Sequence, residues 1–356
     1  MEKNKRFLKT VCLAALAILT AATFVCGLFV FSVPLDKIWE AFALTALSFV
    51  AWYFAHNALH EIFHAIFTAA FGGRVISVAF WGLEFNLYKK FGISPAIESG
   101  VSGWTEFICK EPDRADRTLL WSLWGGIVGT ALTVALVLTA FLVQPTFIAT
   151  YLFLMGLFPV IYMFAINFLF PENDGDGALL RSYFKDKAAF YSAAARLETE
   201  GRLFKGEDLS SAMSVAMRKK YADEPIVTDY DYLLALTSGD ISRVKSVLTD
   251  LSKSKKNFDN GVIDELFEKA FVTCAENGDL SGVDKEYLSA TFSSDRPDDI
   301  RVHHAYRLAT GDTKWAQLLE ASYFKAIKNP VLPSLEKAYE KIGVIWLLRK
   351  KTGSAE

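Results

Sequence analysis

With 356 residues, 52% of them hydrophobic, and a positive mean hydropathy of +0.24, the chain is more apolar than is usual for a water-soluble protein of its size. Its net charge of -2, from 38 basic against 40 acidic side chains, provides no basic footprint and removes the physical reason to expect a nucleic-acid partner. The cysteines Cys12, Cys26, Cys109 and Cys274 form no CxxC pair, which argues against a disulfide framework or a cysteine zinc knuckle.

Lys3, Lys5, Arg6 and Lys9 precede an apolar run over 11–33 that is long enough for a bilayer core and has no convincing small-residue cleavage site, so it reads as a retained first span. Further spans are expected over 41–71, 118–143 and 147–170. Basic residues decide the orientation. The N-terminus, the segment 72–117 and the region after Arg181 carry them, which predicts that both termini lie in the cytoplasm of a multi-pass cell-membrane protein. Within the inside segment, RVISVAFWGLEFNLYKKFGISPAIESGVSGWTEF mixes β-branched and aromatic residues with glycines, and is expected to form short strands whose apolar side touches the membrane surface or the helix bundle.

Beyond about residue 180 the pattern is that of a soluble helical domain. An alanine followed by Gly-Asp recurs at Ala235/Gly239-Asp240, Ala275/Gly278-Asp279 and Ala309/Gly311-Asp312, at separations of 279−240 = 39 and 312−279 = 33 residues. Those spacings suit helical-hairpin repeats, so a short tetratricopeptide-like solenoid is expected, with an unrelated helical bundle as the alternative. The expected domains are 1–36 for the N-terminal tail and first span, 37–185 for the membrane core, and 186–356 for the cytoplasmic helical part.

The chemistry concentrates in His60-Glu61-Ile62-Phe63-His64, at the end of the second span. Four residues apart on a helix, the two imidazoles stack on one face and can share one Zn²⁺, while Glu61 can take a proton from the water that the metal acidifies. Three ionisable side chains within one turn and a half of an apolar span are costly unless they serve a metal or a polar cavity. A catalytic zinc site takes a third protein ligand, and Asn167-Phe168-Leu169-Phe170-Pro171-Glu172-Asn173-Asp174-Gly175-Asp176-Gly177 supplies aspartates at the same expected depth. Asp174 sits in the most flexible part of that turn. Asp176 runs directly into Gly177-Ala178-Leu179-Leu180, an apolar helix start able to anchor its carboxylate, so Asp176 is the expected ligand.

HEIFHAIFTAAFGGRV resembles the first core helix of the site-2 protease family of intramembrane zinc metalloproteases, and NFLFPENDGDGALL resembles that family's asparagine-proline-Asp-Gly motif. WGGIVG at 124–129 is similar to the glycine-rich start of its middle core helix. The resemblance covers about 40–185 and implies an all-α polytopic core of three catalytic helices with a strand-rich insertion. It further implies zinc held by His60, His64 and Asp176, Glu61 as general base, Asn167 orienting the substrate or polarising its carbonyl, and a transmembrane protein or peptide as substrate. The chain departs from the family pattern in three places: Asn167 and Pro171 stand one residue further apart, and the middle helix lacks the Gly-Pro and the asparagine after it.

His56, one turn before His60, is either an extra ligand or supporting group, or a histidine hydrogen-bonded within the bundle. Glu84, Glu98 and Glu106 have no partner pattern and read as solvated. The expected function is thus zinc-dependent hydrolysis of peptide bonds in or near transmembrane segments, with the strand-rich segment 74–107 holding an unwound substrate by strand addition and the helical domain binding a protein partner. The rival reading is a catalytically silent membrane scaffold acting through the helical repeats. A transporter is disfavoured, because the four expected spans contain no internal repeat.

Overall fold

A computed structural model of the protein describes residues 24–88, 91–95, 103–144, 176–185, 187–220, 241–254, 265–275 and 297–328, with a few isolated positions besides. The fold is mostly helical with one small antiparallel four-stranded sheet. It divides into two compact units, Met1–Phe107 with Arg117–Arg181, and Ile108–Asp116 with Ser182–Glu356.

In the first unit, helix α1 runs over Ile38–Ala70 without a glycine or proline to interrupt it. Its 33 residues span about 50 Å at 1.5 Å each, more than the ~30 Å of a bilayer core. Gly72, at φ 93°, ends it by turning the chain in the left-handed region. Gly73 then starts β1, and a methyl group there would lie 2.3 Å from Thr68 Cγ2, so strand and helix meet at their backbones. The sheet comprises β1 (Gly73–Phe80), β2 (Leu83–Asn86), β3 (Gly92–Pro95) and β4 (Gly103–Cys109), in the order β3-β2-β1-β4.

The β1–β2 register pairs Phe80 with Leu83 across a two-residue turn of Trp81 and Gly82, both at positive φ, 62° and 73°. A tryptophan is a poor residue for that conformation. Its contacts offset the strain: the indole Nε1 donates to the carbonyl of Phe54 at 2.7 Å, and its ring meets the Phe54 ring edge-on. Phe54 lies 70−54 = 16 residues back from the end of α1, about 24 Å along its axis. The hairpin therefore folds back alongside α1, in keeping with the expectation of short strands that touch the helix bundle.

Helix α2 (Ala115–Val143) follows β4. Two of the four expected spans correspond to helices long and apolar enough to cross a membrane, Leu35–Ala70 and Pro112–Val143. Of the expected span 11–33, residues 24–30 are helical, and the span 147–170 lies almost wholly outside the described residues.

Helix α3 (Asp176–Lys185) has its residues up to Arg181 in the first unit, and the second unit contains α4 (Lys187–Phe204), α5 (Leu209–Lys220), α6 (Ile241–Ser254), α7 (Glu265–Ala275), α8 (Pro297–Ala309) and α9 (Thr313–Lys328). The segment 108–116 belongs to this unit, which the sequence did not suggest. Arg202 of α4 pairs with Asp113, Lys220 of α5 pairs with Asp116 at 3.1 Å, and a methyl group at Gly201 would lie 2.6 Å from the Cys109 carbonyl. The Ala309/Gly311-Asp312 element is the turn between α8 and α9, with Gly311 at φ 80°. The other two Gly-Asp elements lie outside the described residues.

Candidate metal centre

The buried face of α1 carries the polar residues of this helix. His56, Asn57, Glu61, His64 and Thr68 are buried, while Trp39, Phe42, Leu47 and Val50 are exposed. Helix α2 approaches that polar face through glycines. A methyl group at Gly125 would lie 2.4 Å from the Phe63 carbonyl, and one at Gly129 would lie 2.7 Å from that of Leu59. At Gly126 the obstacle is the site itself, since a methyl group would stand 2.2 Å from His64 Nε2 and 2.7 Å from His60 Cε1. Small residues at 125, 126 and 129 are what permit this backbone contact between apolar helices.

The structure brings His60, His64 and Asp176 together. Asp176 Oδ2 lies 3.1 Å from His60 Nε2 and 2.8 Å from His64 Nε2, and the two Nε2 atoms are 3.1 Å apart. The outer nitrogens fix what these inner ones present. His64 Nδ1 lies 2.8 Å from the carbonyl of Ser122, which can only accept, so Nδ1 carries the proton and the neutral ring turns a lone pair inward. His60 Nδ1 lies 3.0 Å from Thr130 Oγ1, a hydroxyl that can accept from it in the same tautomer.

With both rings neutral and protonated at Nδ1, two imidazole lone pairs and a carboxylate oxygen converge on one point, where a metal cation satisfies all three. The triangle has edges of 2.8 to 3.1 Å, and a tetrahedral zinc with bonds of about 2.0–2.1 Å sets its ligands about 3.3 Å apart. Donor types, tautomers and spacing therefore fit a metal ion, and the group can hold one. Gly177 and Leu180, buried in α3 just after Asp176, anchor that aspartate on a packed element.

Glu61 is held separately. Thr105 Oγ1 of β4 lies 2.9 Å from Glu61 Oε2 and 3.1 Å from its backbone carbonyl, and a methyl group at Gly103 would lie 2.9 Å from Oε1. Sequence reasoning missed Thr105 and Gly103, and no spacing rule links them to a helix more than forty positions earlier. Thr130 and the Ser122 carbonyl were missed for the same reason. Asn167 and Asp174 lie outside the described residues. Glu106 is exposed and accepts from Ser77 at 3.3 Å, Glu84 accepts from Ser94 at 3.5 Å, and Glu98 is outside the described residues. Among the described residues, neither nitrogen of buried His56 has a hydrogen-bond partner. Among the described cysteines, none of Cys26, Cys109 and Cys274 is in a disulfide.

Comparison of the chain with protein-family models, with curated proteins and with solved structures returned no match.

Proposed function

We propose that the protein is a zinc-dependent intramembrane endopeptidase of the site-2 protease kind, which hydrolyses peptide bonds in or beside transmembrane segments of its substrates. The observation that carries this reading is the convergence of His60, His64 and Asp176 beside a carboxylate, Glu61, that a strand holds in place. The inverted burial of α1, polar residues inside and Trp39, Phe42 and Leu47 outside, supports a bilayer as its surroundings. The close packing of the α2 glycines against the imidazoles is consistent with the resemblance of WGGIVG to the family's middle helix.

His60, His64 and Asp176 would hold the metal, which when bound would supply Lewis acidity to polarise a carbonyl and acidify water. Glu61 accepts the proton of the attacking water and delivers it to the leaving amine nitrogen. Thr105, donating to Glu61, fixes its rotamer and keeps one carboxylate oxygen engaged while the other faces the reaction. A substrate helix hides its carbonyls in its own hydrogen bonds and must be extended before attack. β4 is an edge of the sheet and runs past Glu61, so its free edge is a template on which an unwound peptide adds as a further strand. The second unit serves as a cytoplasmic tetratricopeptide-like module that binds a protein partner; its α8–α9 turn is one of the three repeat elements.

Comparative membrane proteomics of cells carrying the intact protein or Glu61→Gln tests the reading. A substrate fragment made only by the intact protein is expected, with at least a thousandfold less cleavage by the variant at unchanged metal content. Equal fragment patterns would favour the scaffold.

A further inference from the structure

The chain passes between the two units three times, at Phe107–Ile108, Asp116–Arg117 and Arg181–Ser182. None of these crossings is a loop, since they fall inside β4 (Gly103–Cys109), α2 (Ala115–Val143) and α3 (Asp176–Lys185). Each of the three elements also serves the metal centre. Thr105 of β4 holds Glu61, the Ser122 carbonyl of α2 orients His64, and α3 carries Asp176. From these residues to the second unit the chain runs only 108−105 = 3 residues of strand, about 10 Å, and 122−116 = 6 or 182−176 = 6 residues of helix, about 9 Å each.

The second unit grips the segment 108–116 that joins β4 to α2. Ile108, Cys109 and Pro112 are buried, and a methyl group at Gly201 of α4 would lie 2.6 Å from the Cys109 carbonyl and 3.2 Å from Pro112 Cγ. Arg202 pairs with Asp113 and, at 3.2 Å, with Glu198, while Lys220 Nζ donates to the Asp113 carbonyl at 2.8 Å and to Asp116 at 3.1 Å. An exposed ion pair holds little by itself. Here the side chains of Arg202 and Glu198 are only 12% and 3% exposed, and the close approach at Gly201 leaves the segment no slack.

The two ends of the segment respond differently to that grip. Helix α2 is pressed onto the backbone of α1 at Gly125 and Gly129, which fixes it independently. Strand β4 is an edge with one neighbour, β1, so its position depends on how its end is held. Glu61 depends on β4, whereas the metal ligands lie on α1 and α3.

We propose that the second unit controls the base and not the metal: Gly201, Arg202 and Lys220 are positioning residues that, through segment 108–116, hold β4 where Thr105 seats Glu61. The second unit thereby regulates proton transfer from outside the site. The inference rests on the reading of Glu61 as the general base of a peptidase.

Hydrogen exchange with mass spectrometry, on the full-length protein in lipid nanodiscs, tests it. The amides of residues 104–107 should exchange at least several-fold faster in Gly201→Ala, whose methyl group pushes the Cys109 carbonyl away, and in Lys220→Met, which releases Asp113 and Asp116. Those of residues 120–130 and the bound zinc should not change, and Lys220→Arg should restore the original rate. Arg301→Met, which disturbs a different ion pair of the same unit, should leave the exchange of 104–107 as it is. In the active enzyme, Gly201→Ala and Lys220→Met should lower kcat several-fold at unchanged KM, and neither should lower it further in a Thr105→Val background. Should Gly201→Ala fail to fold, Lys220→Met and Lys220→Arg decide alone. Exchange indifferent to these changes, exchange raised equally by Arg301→Met, zinc lost in step with kcat, or an unchanged kcat would each overturn the proposal. The exchange is readable even if no substrate is cleaved, so the expected exchange pattern without any cleavage would uphold the grip on β4 and count against the protease reading alone.

Discussion

The protein buries polar groups in two places and treats them in opposite ways. In the C-terminal unit, Arg301 is wholly buried, yet its Nη2 lies 2.6 Å from Glu268 Oε1, its guanidinium lies 4.3 Å over the Phe271 ring, and Tyr232 donates to Glu268 Oε2 at 2.6 Å. Opposite charges meet and donors face acceptors, so the cluster is complete in itself. In α1 the reverse holds. His60, His64 and Asp176 converge on one point, and Thr45 Oγ1, Trp52 Nε1 and both His56 nitrogens have no hydrogen-bond partner among the described residues. A buried polar cluster that the chain satisfies alone is a structural device, whereas one that it leaves unsatisfied is shaped for a ligand.

If that contrast is right, damage to the two clusters appears in different measurements. Arg301→Met should destabilise the C-terminal unit by about 3–5 kcal/mol, because Glu268 is left buried without its counter-charge. Chemical denaturation followed by the far-UV signal measures it, with bound metal per folded molecule unchanged. A loss of metal in that variant would show that the two clusters are not independent.

A methyl group at Gly126 should act the other way. Gly125 and Gly129 hold α2 against the backbone of α1, so the Cβ of Gly126→Ala has no room and must push the His64 ring from its place. Metal affinity should fall by about 10–100-fold with helical content retained. Competition with a chelator of known affinity reads this directly. Unchanged affinity would mean that the imidazoles are free to move, contrary to their Ser122 and Thr130 hydrogen bonds.

The parts of this account that were legible in the sequence are those carried by local pattern. HEIFH announces two imidazoles on one helix face because helix periodicity is local, and the strands of 74–107 follow from β-branched residues and glycine turns. Asp176 could be preferred to Asp174 because an apolar helix start follows it directly. Contacts closed by the tertiary fold were not legible. Thr105 reaches Glu61 only because the β1–β2 hairpin turns back along α1, pinned by Trp81 at Phe54, and β4 pairs beside it. Segment 108–116 looked like a simple link between strand and span, and its inclusion in the helical unit depends on Arg202 and Lys220 about a hundred residues later. His56 illustrates the limit most plainly, since the same histidine in the same helix would be structural or functional according to whether a partner packs against it.

Metal analysis of the purified, full-length protein tests the central claim most directly. The intact protein should carry close to one equivalent of zinc, and both His60→Ala and Asp176→Ala should carry almost none while remaining folded. An intact protein without bound metal, or variants that keep it, would contradict the assignment of His60, His64 and Asp176 as its ligands.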